Sequence, residues 1–312
     1  MSSPIATSAA LVPASSAVKE AQTALDIACE HVRDGRFQRS LSLITAASSL
    51  VSGLEVGYEH YKGGFSNVVM YTPVILSGVL TGAAACAFFS RRAAETFLRV
   101  TAAITLADGI IGFGFHVRGI ARKPGGWRLP ITNIVMGPPL FAPLLFGTAA
   151  YLGFMASYLR REEEGKNEDI RYSGWRREIN EGKFQKHLAG VAAAWTLFSG
   201  AEAWYSHYKS RFRIWAQWTP LIISPIQFGA CIAAIFSERA ARKLLPTTSV
   251  ITMANGGMGA FYHVRGIFRR PGGRKHWVYN ILYGPPIFAP LLFSACGFLG
   301  LLASILRREK RG

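Results

Sequence analysis

The chain has 312 residues, 50% of them hydrophobic and only 17% charged, with a mean hydropathy of +0.21. That excludes a disordered chain and leaves too much apolar surface for an ordinary soluble globule. The net charge of +17 is scattered in short clusters between long apolar runs, so no basic domain for nucleic acid is built.

Residues 1–34 open with a Ser/Ala/Pro-rich stretch that has no basic start, so a cleaved signal peptide is not expected. Val18, Ala21, Leu25, Ala28 and Val32 then recur at helical spacing up to Gly35, which predicts an amphipathic helix. From there the chain is one unit written twice. Residues 35–163 align without a gap on residues 182–310 at a constant offset of 147, with nearly half of the pairs identical. The runs HVRGI, PGG, GPP and FAPLLF recur intact. Residues 164–181 form a polar linker between the two units.

Each unit holds four apolar stretches, 41–60, 69–89, 100–116 and 136–158 in the first and 188–207, 216–236, 247–263 and 283–305 in the second. They contain no Lys or Arg, and at 1.5 Å per residue each crosses most of a hydrocarbon core about 30 Å thick. Backbone polar groups cannot stay unpaired in lipid, so the stretches are predicted to be helices. The fold expected is therefore all-α, a polytopic membrane protein of eight spans arranged as two parallel tandem four-helix units. Four spans per unit return the chain to its starting side, which makes the repeats parallel rather than inverted. Pro73 and Pro220 stand at the starts of second spans, and GPPxFAP opens the fourth, where Pro143 and Pro290 are expected to bend the helix.

The four cysteines, Cys29, Cys86, Cys231 and Cys296, show no metal spacing and are expected to be small packing residues. Charge differs between the two sides. The termini and the loops on their side hold 22 Lys/Arg against 13 on the other, which predicts cytoplasmic termini in a bacterial inner membrane. The opposite side combines those 13 cations with almost no carboxylate, since 14 of the 18 acids lie on the terminal side. This far face should attract lipid phosphates, cofactor carboxylates or an acidic partner surface.

Four of the seven histidines obey the repeat, His60 with His207 and His116 with His263. First and third spans run the same way, so both imidazoles of a unit are expected near the far face. There they could approach a haem iron from opposite sides, with Lys62, Arg118, Lys209 and Arg265 near the propionates. Haem iron aside, no metal site is expected. Thr101, Thr105, Asp108, Gly112 and His116, matched by Thr248, Thr252, Asn255, Gly259 and His263, make a polar seam on the third span. The two glycines there would admit a flat ligand, or equally a close helix. The alternative for the histidines is an interfacial belt with Tyr58, Tyr61, Tyr205, Tyr208 and Tyr262.

Glu55 and Glu202 are the acidic pair kept inside both units, and either relay protons, bind a quinone or substrate, or bond a neighbouring helix. The HVRGIxRxPGG loop has turn glycines and arginines suited to an anion, but it is not a nucleotide loop. The sequence thus points to a redox or quinone-interacting membrane subunit with haem b in each unit, meeting a membrane or peripheral redox partner at its basic face. Two alternatives stay open: a transporter or anion- and lipid-binding protein, and a structural subunit docking a partner through that face.

Overall fold

A computed structural model describes residues 36–159 and 183–308. The helix expected over 18–35, Cys29 and the central linker, residues 164–181, lie outside the described residues. What is described is all-helical.

In the first half, α1 (Arg36–Lys62) is followed by α2 (Thr72–Phe89) and α3 (Arg99–Ala121), then by the short α4 (Pro130–Val135) and by α5 (Ala142–Leu159). In the second half come α6 (Lys183–Lys209), α7 (Thr219–Phe236), α8 (Leu245–Phe268), the short α9 (Trp277–Leu282) and α10 (Ala289–Arg308). The starts of the second set follow those of the first by 147 residues, to within one. In each half every long helix packs against its sequence neighbours and the first against the fourth, which closes a four-membered ring. The halves meet where α4 and α5 touch α6, where α9 touches α1, and where α5 touches α10.

Small residues set the closest approaches. A Cβ on Gly53 would run into Ser77, and one on Gly200 into Ser224, so α1 and α2, like α6 and α7, come together at a glycine. The interior is a core of Leu and Ala interleaved with small polar residues, many of them bonded within the helices. Thr45, Thr105, Thr196 and Thr252 are fully buried, and each returns its hydroxyl proton to the carbonyl four residues back. Ser49 bonds the Ser77 carbonyl at 3.0 Å, and Gln227 bonds Ser249 at 3.0 Å. Outside, Leu50, Leu54, Ile75, Ile110, Ile111, Ile222 and Phe261 are exposed. So many large apolar side chains on the outside of long helices are unlike a soluble globule and suit a lipid surround. Among the described residues four helical stretches, Gln38–Lys62, Val68–Phe89, Arg91–Ala121 and Trp215–Phe236, are long and apolar enough to cross a membrane.

Several details differ from the sequence expectation. The fourth helices begin at Ala142 and Ala289, not at 136 and 283, because the GPP prolines lack N–H donors and the chain turns there instead. Pro143 and Pro290 consequently fall in the first helical turn, where proline is accommodated without a kink. Pro225 lies inside α7, where it deprives the Leu221 carbonyl of its helical partner. Both third helices are reached through a π-helical turn, Ala94–Leu98 and Ala240–Leu244. Cys231 and Cys296 are buried as expected of packing residues, whereas Cys86 is exposed.

Candidate functional site

The repeated polar residues gather at the end of each half where α1, α3, α6 and α8 finish. His60 is in the last turn of α1, and the chain after it folds back through Gly64 and Phe65, both with positive φ. The Phe65 N–H closes on the His60 carbonyl at 3.0 Å, and the Phe65 ring stacks on Tyr71 at 4.3 Å. A left-handed phenylalanine costs about 1 kcal/mol, and the stack offsets a similar amount. The second half repeats the device, with Phe212 at positive φ stacked on Trp218 at 4.2 Å.

This fold-back brings a backbone carbonyl to each imidazole. His60 Nδ1 meets the Met70 carbonyl at 2.6 Å, and His207 Nδ1 meets that of Gln217 at 2.9 Å. His116 and His263 make the same bond to the carbonyls of Pro139 and Pro286, which precede the fourth helices. A carbonyl only accepts, so Nδ1 carries a proton in all four rings, and in the neutral ring Nε2 is the nitrogen with the lone pair. Those Nε2 atoms have no hydrogen-bond partner among the described residues, and none is sealed away as a buried orphan. His60 and His116 stand within each other's electrostatic reach, as do His207 and His263. The four cations named with them are all exposed: Lys62 pairs with Glu59 at 2.8 Å, and Arg265 lies over the Tyr262 ring at 6.0 Å.

The seam below His116 and His263 is used for packing. Asp108 accepts from the Thr72 hydroxyl at 2.6 Å, and Asn255 donates to Thr219 at 2.6 Å, tying α3 to the start of α2 and α8 to that of α7. The space left at Gly112 and Gly259 is taken by Pro143 and Pro290, whose Cβ atoms would lie 3.1 and 2.9 Å from an added Cβ. A flat ligand therefore does not enter at those glycines.

Glu55 and Glu202 turn away from their own halves. Glu202 accepts the Phe141 N–H at 2.8 Å and the Tyr205 hydroxyl, while the Leu140 N–H donates to Tyr205 at 2.9 Å. These N–H groups belong to the start of α5 in the other half, in a segment where Pro138, Pro139 and Pro143 have none to offer. The reciprocal arrangement has Glu55 facing the backbone N–H groups of Phe288 and Ala289, with Tyr58 facing that of Ile287 and donating to Glu55 at 3.3 Å. Glu202 thus caps the fourth helix of the opposite half, and Glu55 stands at the matching place before α10.

The PGG turn is held from within. Gly125 and Gly272 have φ of 80°, and Asn133 Nδ2 donates to the Pro124 and Gly126 carbonyls, as Asn280 Nδ2 does to those of Pro271 and Gly273. Sequence reasoning passed over Asn133/Asn280 and the capping role of Tyr58/Tyr205. The signal was available, because all four are identical between the repeats. Compared with known proteins, the chain matches no family model, no curated protein and no solved structure, so its function is argued from this geometry alone.

Proposed function

We propose that the protein is an integral membrane subunit of electron transport, eight spans in two parallel four-helix halves, with one haem b held by His60 and His116 and a second by His207 and His263. The observation that carries this reading is the state of the four imidazoles. Each has Nδ1–H locked to a carbonyl, the outer-sphere bond that orients a ligating histidine and raises its basicity, and each keeps Nε2 open. Two imidazoles per half are too few for a bare ion that wants four protein donors, and among the described residues no group of three or more His, Cys, Asp or Glu converges. They suit a group that brings its own four equatorial nitrogens. Haem would supply reversible one-electron chemistry, and exchange with a membrane quinone or a peripheral redox partner is the expected use. The chain's own part is to fix the ring tautomers, to surround the site with apolar helices, and to offer exposed cations such as Arg118 and Lys209 to propionates. The membrane proposed is a bacterial inner membrane, and the excess of Lys/Arg on the terminal side supports cytoplasmic termini.

A second reading rests on the same bonds: the Nδ1–H groups fasten the loops that precede α2, α5, α7 and α10, which is a structural task in itself. A reduced-minus-oxidised spectrum of the protein purified from haem-replete cells separates the two. A b-type α-band is expected, reduced by about half in His116→Ala and abolished when His116→Ala is combined with His263→Ala. Absence of the band from the wild-type preparation overturns the haem reading and leaves the structural one.

A further inference from the structure

The short helices and PGG turns of the far face form a second functional surface, independent of whether haem is held. On α4 the inward residues are Asn133 and Val135, both buried, whereas Ile131 on the helix and Trp127, Leu129 and Met136 beside it are exposed. The matching region around α9 buries Asn280 and exposes Trp277, Val278, Tyr279 and Tyr283. A six-residue helix held down by one asparagine, with an apolar outer face, is poorly suited to water and well suited to the boundary between headgroups and acyl chains. Trp215, Trp218, Tyr61, Tyr71 and Tyr208 are exposed on neighbouring elements of the same end and extend the aromatic girdle.

The charge around this girdle has one sign. Arg122, Lys123 and Arg128 surround the first PGG turn, and Arg269, Arg270, Arg274 and Lys275 the second. The one acid in the far-side turns, Glu59, is already paired with Lys62. Lys123 of the first half stands in the field of Lys209 of the second, so the cations crowd across the junction of the halves. Arg270 Nε is buried with no hydrogen-bond acceptor among the described residues, which leaves a charged donor waiting for one.

We infer that this face seats anionic phospholipids, the PGG arginines and lysines taking the headgroup phosphates while the aromatic faces of α4 and α9 lie in the boundary layer of the same leaflet. Charge complementarity selects the occupant: zwitterionic headgroups carry no net charge to pair with the cations, and each Lys/Arg near an anionic surface is worth about a fivefold change in binding.

The test uses the full chain in nanodiscs of phosphatidylcholine with and without phosphatidylglycerol. In the wild type, tryptophan fluorescence should be quenched more by brominated phosphatidylglycerol than by the same amount of brominated phosphatidylcholine. The preference should shrink as salt is raised. Replacing Arg122, Lys123, Arg269 and Arg270 by Gln should remove the preference, while Arg92→Gln with Arg239→Gln on the opposite face should leave it. Equal quenching by the two lipids in the wild type overturns the proposal, whether the true occupant is an acidic protein or nothing. So does a preference that survives the far-face substitutions or is lost with the opposite-face pair.

Discussion

Glu202 takes the Phe141 N–H at 2.8 Å across 61 positions of chain, and Tyr205 takes its neighbour's. Each bond satisfies a donor at the start of α5 that the helix cannot satisfy itself, because a helix leaves its first N–H groups free. Glu202→Ala should therefore leave a buried N–H unpaired, at a cost of about 1–3 kcal/mol. Glu202→Gln keeps an oxygen acceptor and should cost less, and Tyr205→Phe should fall between them. Thermal unfolding of the purified protein in detergent reads the order. A Gln variant as damaging as Ala would show that the carboxylate charge, not the cap, is what the fold requires. That Glu55 and Glu202 are special was legible in their survival in both repeats. That Glu202 caps a helix was not, since its partner is a backbone atom of the other half.

Helix packing depends on glycine where the backbones touch and not elsewhere. An added Cβ on Gly256 would lie 2.6 Å from the Pro290 carbonyl oxygen and 2.6 Å from the Ser294 N, both backbone atoms that cannot swing aside. Gly256→Ala should push α8 off α10 and destabilise by about 1–3 kcal/mol. Gly82 on α2 is exposed with nothing within 4 Å of the same position, so Gly82→Ala should be neutral or add about 0.4–1 kcal/mol by restricting the unfolded chain. Melting temperatures of the two variants should move in opposite directions or differ by several degrees; equal losses would contradict the packing described. The existence of the long helices was readable from apolar run length. Their ends were less so, because Gly137–Phe141 counts as apolar in a hydropathy scan yet contains two prolines and a glycine pressed against the Asn133 carbonyl.

At the scale of the whole molecule the halves are joined by exchange rather than by simple contact. Besides the bonds from the start of α5 to Glu202 and Tyr205, Trp195 Nε1 donates to Thr148, and Phe141 stacks on Phe198 at 4.9 Å. The first half does not satisfy the N–H groups at the start of its own fourth helix, so residues 1–163 produced alone should be degraded or aggregate, while co-production with residues 164–312 should recover a complex that copurifies. A stable, monodisperse first half would show that the exchanged caps are dispensable. The duplication, the all-helical class, the apolar run lengths and the cationic, carboxylate-poor character of alternate connecting segments were determined by the sequence alone, since each follows from composition and spacing along one chain. Helical periodicity says which residues share a face but not which helix that face will meet. Only the tertiary structure could therefore decide that Pro143 and Pro290 fill the gaps at Gly112 and Gly259, that loop carbonyls set the histidine tautomers, and that the two glutamates serve the opposite half.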